Sequence, residues 1–360
     1  MIRKSYSHQF GVVFLFVLTS FIAGCEDDTI FLPPPTHSSL FDLDASQYSK
    51  DYYFVDTLYR KYWEPLHSSV VVDISEEMQA HQILQLDVWQ SVNNIGGQYA
   101  GIAVIKKAFI DLPPHLIGTS YAPGFTDGLD TTSSGRYAVA YWIKLGPNKD
   151  YEFDSHGGFV ILNAVNEVRA YAVSYTILGE PANDHGGFNS LVYGDSVPGT
   201  GESLLKLIKP IDLGNHPEYK PAWDLMLKNV YRVGERNLAR DSFDLVVVRK
   251  PPSGPETYQI FNQPLLTILG LDRYDGTLAE HPDGLFDFIP KLTIDPTRGD
   301  ILFPTLRPFD QGIVDYFRSH TALSDLPDSV LFPEVYDTTA YAAQHMATRT
   351  KYVIHTRITR

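Results

Sequence analysis

Tyr137-Ala138-Val139-Ala140-Tyr141-Trp142-Ile143-Lys144-Leu145 and Tyr171-Ala172-Val173-Ser174-Tyr175-Thr176-Ile177 are the two stretches that decide the fold. In the first, large residues hold one parity and small ones the other as far as Tyr141, which suits a strand with one packed face. The second repeats that parity and is expected in the same sheet. Similar short runs rich in β-branched and aromatic residues recur at Val70–Val72, Ile83–Val88, Ile102–Ile105, Phe159–Leu162, Leu245–Val248 and Ile301–Phe303. Gly, Pro, Asn, Asp or Ser bound nearly all of them. Turn signals between runs argue against alternating β-α units and predict a mainly β protein, an antiparallel, jelly-roll-like β-sandwich with few short helices.

Outward from these strands, one segment carries a helical period. Tyr52, Tyr53, Phe54, Leu58, Tyr59, Tyr62 and Trp63 recur at spacings near three and four, predicting an amphipathic helix closed by Glu64-Pro65. Pro251-Pro252-Ser253-Gly254-Pro255 is the richest Pro/Gly cluster in the body of the chain and predicts a boundary. The expected division is a β-sandwich over residues 46–250 and a loop-rich β extension over 251–360. Within the extension, Leu292-Thr293-Ile294, the turn Asp295–Asp300 and Ile301-Leu302-Phe303 read as a hairpin.

The amino-terminal residues read differently. Arg3 and Lys4 precede an apolar run from Gly11 to Phe21, and Ile22-Ala23-Gly24 leads directly into Cys25, the only cysteine of 360 residues. The pattern resembles the lipobox of bacterial lipoproteins. It implies a signal peptide over residues 1–24, lipidation at Cys25 and a mature chain outside the cytoplasm. An ordinary cleaved signal, or an anchor helix with an incidental cysteine, is the competing reading. Residues 25–45, with Glu26-Asp27-Asp28 and Pro33-Pro34-Pro35, read as an acidic, proline-stiffened tether. The acidic triplet resembles the surface-export signal of some diderm bacteria with type IX secretion, and is equally a solvated linker.

Composition bounds the partners. Hydrophobic residues make up 44% and aromatic residues 13%, enough for a substantial core, and a lone cysteine leaves stability to packing rather than to an internal disulfide. The net charge is −14, or −16 for residues 25–360, which lack Arg3 and Lys4 and so carry 27 basic against 43 acidic groups. That balance argues against nucleic acid and anionic headgroups as electrostatic partners.

Catalytic patterns are thin. His156-Gly157-Gly158-Phe159 and His185-Gly186-Gly187-Phe188 resemble an esterase oxyanion loop, but no Gly-x-Ser-x-Gly supplies a nucleophile, and turn glycines explain them better. No enzyme activity is expected. The most site-like stretch runs from Leu271 to Phe288, where Asp272, Asp275, Asp283 and Asp287 gather around Gly276 and Gly284. Carboxylates on a glycine-turned loop are what calcium needs; they are also the ordinary residues of tight turns, and both readings stand.

The same region carries a family resemblance. Leu269–Arg273, Pro282–Pro290, Thr293–Pro296 and Gly299–Phe309 are similar to the amino-terminal extracytoplasmic repeat of the SprA/Sov family, the outer-membrane translocons of type IX secretion and gliding motility. Leu86-Asp87-Val88-Trp89, Trp223–Tyr231 and Phe332–Thr339 resemble further blocks in the same order. The resemblance spans about 270 residues. Family members are several times longer and continue into a large β-barrel, whereas this chain ends at Arg360 and opens with a lipobox. A stand-alone lipoprotein reusing the module, or a split or truncated translocon gene, would account for both. The resemblance implies a structural, protein-binding part of the machinery on an outer-membrane lipid anchor, at the periplasmic face or the cell surface. A surface glycan-binding lipoprotein, stacking exposed Trp or Tyr on sugar rings, is the alternative.

Overall fold

The computed structural model describes residues 38–359, except 94–95, 117–118, 120, 122–124, 133–134, 183–187, 195–203, 212–218, 252 and 322–324. The chain enters on β1 (Ser38–Asp44), then β2 (Tyr52–Phe54) and helices α1 (Arg60–His67) and α2 (Glu76–Ala80). Next come β3 (Ile83–Val92), β4 (Val104–Phe109), β5 (His115–Leu116), β6 (Tyr137–Lys144), β7 (Tyr151–Asp154), β8 (Phe159–Leu162), β9 (Tyr171–Ile177), β10 (Leu191–Tyr193) and β11 (Leu204–Lys209). After α3 (Lys220–Trp223) lie β12 (Val230–Arg232), β13 (Phe243–Arg249), β14 (Gln259–Ile260), β15 (Gln263–Pro264) and α4 (Leu265–Ile268). The last elements are β16 (Ile294–Asp295), β17 (Asp300–Leu302), α5 (Gln311–His320), α6 (Ala340–Gln344) and β18 (Tyr352–Thr359). The protein is mainly β, its sheets largely antiparallel and its helices few and short.

The largest sheet closes on itself. β11 pairs parallel with β4 and antiparallel with β9, and β4, β6, β3 and β9 follow one another antiparallel, so five strands form a barrel. β9 can serve both closure and extension because β11 takes its first half and β10 its second. The two stretches that decide the fold, β6 and β9, lie on either side of β3. On β6 the packed face is the small one: Ala138 and Ala140 pack against the core with Trp142, while Val139 points to solvent. A five-stranded interior is narrow, which suits the small side chains of Ala138 and Ala140 beside Trp142, whose Nε1 donates to the Lys106 carbonyl at 3.1 Å.

The smaller sheets are three of three strands, β2-β8-β7, β12-β17-β16 and β1-β18-β13, and the two-stranded β14-β15. The hairpin expected at 292–303 is formed by β16 and β17. Its turn is held by Asp295 Oδ1, which accepts from Thr297 N, Thr297 Oγ1 and Arg298 N.

Four expectations are corrected. Val70–Val72 form no strand; with no neighbouring strand to pair with, β propensity has nothing to act on, and Val71 stays exposed. The expected helix begins late: Tyr52–Phe54 pair with β8, Asp56 caps a short 3-10 turn, and α1 then runs through Pro65 to His67. The tether does not reach residue 45, since Ser38–Asp44 pair with β18 along their whole length. The boundary near Pro251 separates no two cores. Residues from Ser38 onward form one compact unit, and β18 lies between β1 and β13, which precede that boundary.

Candidate functional site

The loop from Leu271 to Ile289 is built by its own aspartates. Asp272, almost fully buried, accepts from Asp283 N at 3.0 Å and Gly284 N at 3.3 Å through Oδ1, and from Thr267 Oγ1 at 2.9 Å through Oδ2. Asp287 Oδ2 accepts from Arg273 N at 2.6 Å and Tyr274 N at 3.2 Å. Asp275 Oδ1 accepts from Thr277 N, Thr277 Oγ1 and Ala279 N, and Asp283 Oδ1 from Leu285 N. Short polar side chains that satisfy nearby backbone donors turn a chain without a sheet ladder, which is why this glycine-rich stretch is ordered. Gly284 takes the left-handed conformation, φ +83°.

Electrostatics differ among the four. Burial raises the Asp287 carboxyl above the usual carboxylate range, with Asp272 and Asp283 adding to it against two backbone N–H groups. The Thr277 hydrogen bonds hold Asp275 below that range. Every one of the four spends at least one oxygen on its own loop. Among the described residues no group of three or more His, Cys, Asp or Glu is arranged to hold a metal ion.

Three of them nevertheless meet. Asp275, Asp283 and Asp287 line a cleft of about 360 Å³ between this loop, the start of β13 and the end of β18, whereas Asp272 lies behind the loop. The cleft contains an edge-to-face aromatic cluster, Phe243 with Phe286 at 5.6 Å and with Phe288 at 5.9 Å between centroids. Arg240 Nη2 donates to the Phe288 carbonyl at 2.7 Å, and Arg357 Nη2 pairs with Asp244 Oδ2 at 2.6 Å. Five carboxylates (Asp241, Asp244, Asp275, Asp283 and Asp287) therefore face two guanidiniums. Leu285, 67% exposed, sits at the rim. Such a site suits a cationic group joined to an apolar one.

Sequence reasoning found the aspartates and missed Phe243, Arg240 and Arg357. Arg357 reaches the cleft through the pairing of β13 with β18, more than a hundred positions apart, while Arg240 and Phe243 meet the loop directly; no local pattern marks any of the three. His156–Gly158 lie in the turn between β7 and β8, and Phe159 opens β8: Asp154 Oδ1 accepts from the backbone of His156 and Gly157, and a Cβ at Gly158, φ +59°, would overlap the Tyr59 ring. His185–Gly187, Glu26–Asp28, the signal segment and Cys25 lie outside the described residues. Among the described residues no helix is long and apolar enough to cross a membrane. No family model matches the chain, and no curated protein matches it.

Proposed function

We propose that the chain is a non-enzymatic exported lipoprotein, anchored to the outer membrane through Cys25, that serves type IX secretion or gliding machinery by docking a partner protein. The cleft at Phe243, Asp275 and Asp283 carries the reading: its acidic rim and aromatic floor favour a partner segment with Lys or Arg beside an aliphatic or aromatic side chain. The link to secretion rests on the quoted sequence blocks alone. In its support, several of them pack on one another. Trp223–Tyr231 meets Gly299–Phe309 through β12 and β17, and Asn229 Nδ2 donates to the Phe303 and Thr305 carbonyls. Phe332–Thr339 joins through Phe332 N to the Phe309 carbonyl and through a two-pronged Arg307–Asp337 pair at 2.7 and 2.9 Å.

A glycan-binding reading would rest on the exposed rings of Tyr258 and Tyr341, because Trp63, Trp142 and Trp223 are buried and Trp89 is half-buried.

The test places a photo-crosslinking residue at Leu285 of the full-length chain in a type IX-secreting host. A discrete adduct with an outer-membrane secretion protein, lost in Asp275→Arg/Asp283→Arg, is expected. Retention on a polysaccharide column with no adduct would overturn the reading, as would indifference to the charge reversal. Cys25→Ala should in parallel move the protein from the detergent phase to the aqueous phase.

A further inference from the structure

Two cavities meet at His67, the last residue of α1. One is of about 220 Å³ and its neighbour of about 280 Å³, and both have His67, Asp154 and Lys291 in their walls, so they form one groove between the end of α1, β7 and residues 289–295. The histidine is 7% exposed and stacks on Trp63 at 3.7 Å between centroids. Its Nδ1 bonds the Trp63 carbonyl at 2.8 Å, and a carbonyl can only accept, so the proton of the neutral ring sits on Nδ1 and Nε2 carries a lone pair. Burial pulls the imidazole below its ordinary value, which keeps the ring neutral at pH 7. Nε2 makes no hydrogen bond to the described residues, yet it is not among their unbonded atoms sealed from the surface, so it opens on the groove.

An acceptor left open in this way asks for a donor, and the charges around it say which kind. Glu152, Asp154 and Asp295 line the first part of the groove against one ammonium, Lys291. The Arg298 guanidinium comes no nearer to Glu152 than 3.9 Å and is otherwise engaged with Asp300 and Asn163. Asp154 and Asp295 each spend Oδ1 on their own turns, and Oδ2 of each makes no hydrogen bond to the described residues. Phe153 and Phe159 add aromatic surface here, while Val70, Val72, Pro290 and Leu292 make the second part aliphatic. We propose that the groove binds a small primary amine with an unbranched aliphatic tail, its ammonium donating to His67 Nε2 and the Asp154 carboxylate and its tail lying along Val70 and Leu292. An alkylammonium brings both the positive charge and the three N–H donors that suit this wall, whereas an alcohol of equal length brings no charge and one donor.

The experiment measures n-pentylamine binding to the full-length protein in detergent by calorimetry, with protein-free detergent as the blank and n-pentanol and pentanoate as the uncharged and anionic controls. The amine should bind at least about tenfold more tightly than either control. Asp154→Asn keeps the Oδ1 that holds its turn, and His67→Phe keeps a flat ring over Trp63, so each should weaken amine binding by about tenfold while thermal melting shows a folded chain. Asp275→Arg/Asp283→Arg, in the separate aspartate cleft, should leave amine binding as it is. The proposal is overturned if the amine does not bind, if pentanol binds as tightly, if Asp154→Asn binds as the wild type does, or if the charge reversal in the aspartate cleft abolishes binding.

Discussion

Arg232 and Asp300 face each other across β12 and β17, and the guanidinium grips the carboxylate through two parallel hydrogen bonds, Nε to Oδ1 at 2.7 Å and Nη2 to Oδ2 at 2.8 Å. Asp300 is fully buried and also accepts from Tyr52 Oη at 2.7 Å and Arg298 Nε at 3.3 Å, so one carboxylate ties β2, β12 and β17 together. Asp300→Asn leaves two guanidiniums facing a neutral amide. It should cost about 3–5 kcal/mol in urea unfolding, and Tyr52→Phe only about 1 kcal/mol. Equal losses in the two variants would mean that the charge is not what holds these strands.

Lys228 makes stability rise with pH. Burial pulls its ammonium down to about 7, against the opposing pull of Asp224, whereas an unfolded lysine titrates near 10.4. Between those values the unfolded chain holds the proton and the folded one does not, so this group's contribution grows as pH rises and is lost as pH falls through about 7. The gain approaches about 1.4 kcal/mol per pH unit. Burial also lowers Lys351, which contributes in the same direction, so the comparison is with Lys228→Met. Denaturant midpoints from pH 7 to 9 should climb more steeply for the wild type than for the variant; parallel profiles would contradict the assignment.

Two left-handed glycines should respond differently to a methyl group. At Gly284, φ +83°, a Cβ meets nothing within 4 Å, so Gly284→Ala should cost only the conformational term, about 1–2 kcal/mol. At Gly299, φ +71°, it would overlap the Glu235 carbonyl oxygen, a backbone atom that cannot swing aside. Gly299→Ala should therefore be clearly the worse of the pair in thermal melting, by several degrees.

The loop aspartates should behave as turn residues. Asn keeps the acceptor oxygen that each turn uses, so Asp275→Asn and Asp283→Asn should change stability by less than about 0.5 kcal/mol. Calcium should leave the melting temperature of the wild type where it is. A calcium-dependent rise of several degrees, lost in Asp283→Asn/Asp287→Asn, would instead make the loop a metal site.

Legibility in the sequence followed the range of the interactions. The β6 and β9 runs, the 294–302 hairpin and the Asp272–Asp287 turns are local patterns, readable because each side chain answers its own backbone or its own strand's period. Closure of the barrel was not readable, because the parallel match of Leu204–Lys206 with Lys107–Phe109 is written in neither segment. The Tyr52–Trp63 spacing was helical, yet Tyr52–Phe54 went to a strand because β8 offered a buried edge. The cleft was half visible for the same reason: Asp275, Asp283, Phe286, Asp287 and Phe288 belong to one loop, whereas Arg240–Asp244 and Arg357 come from segments far from it in sequence.

β18 is the middle strand of its sheet, with β1 as one neighbour and β13 as the other. Ser38 pairs with Thr359, so the ladder between β1 and β18 forms only when the two ends of the described chain meet. Few contacts are farther apart along a chain, and closing so long a loop is slow compared with forming a hairpin. During synthesis, β1 and β13 therefore wait as open edges until residues 352–359 arrive.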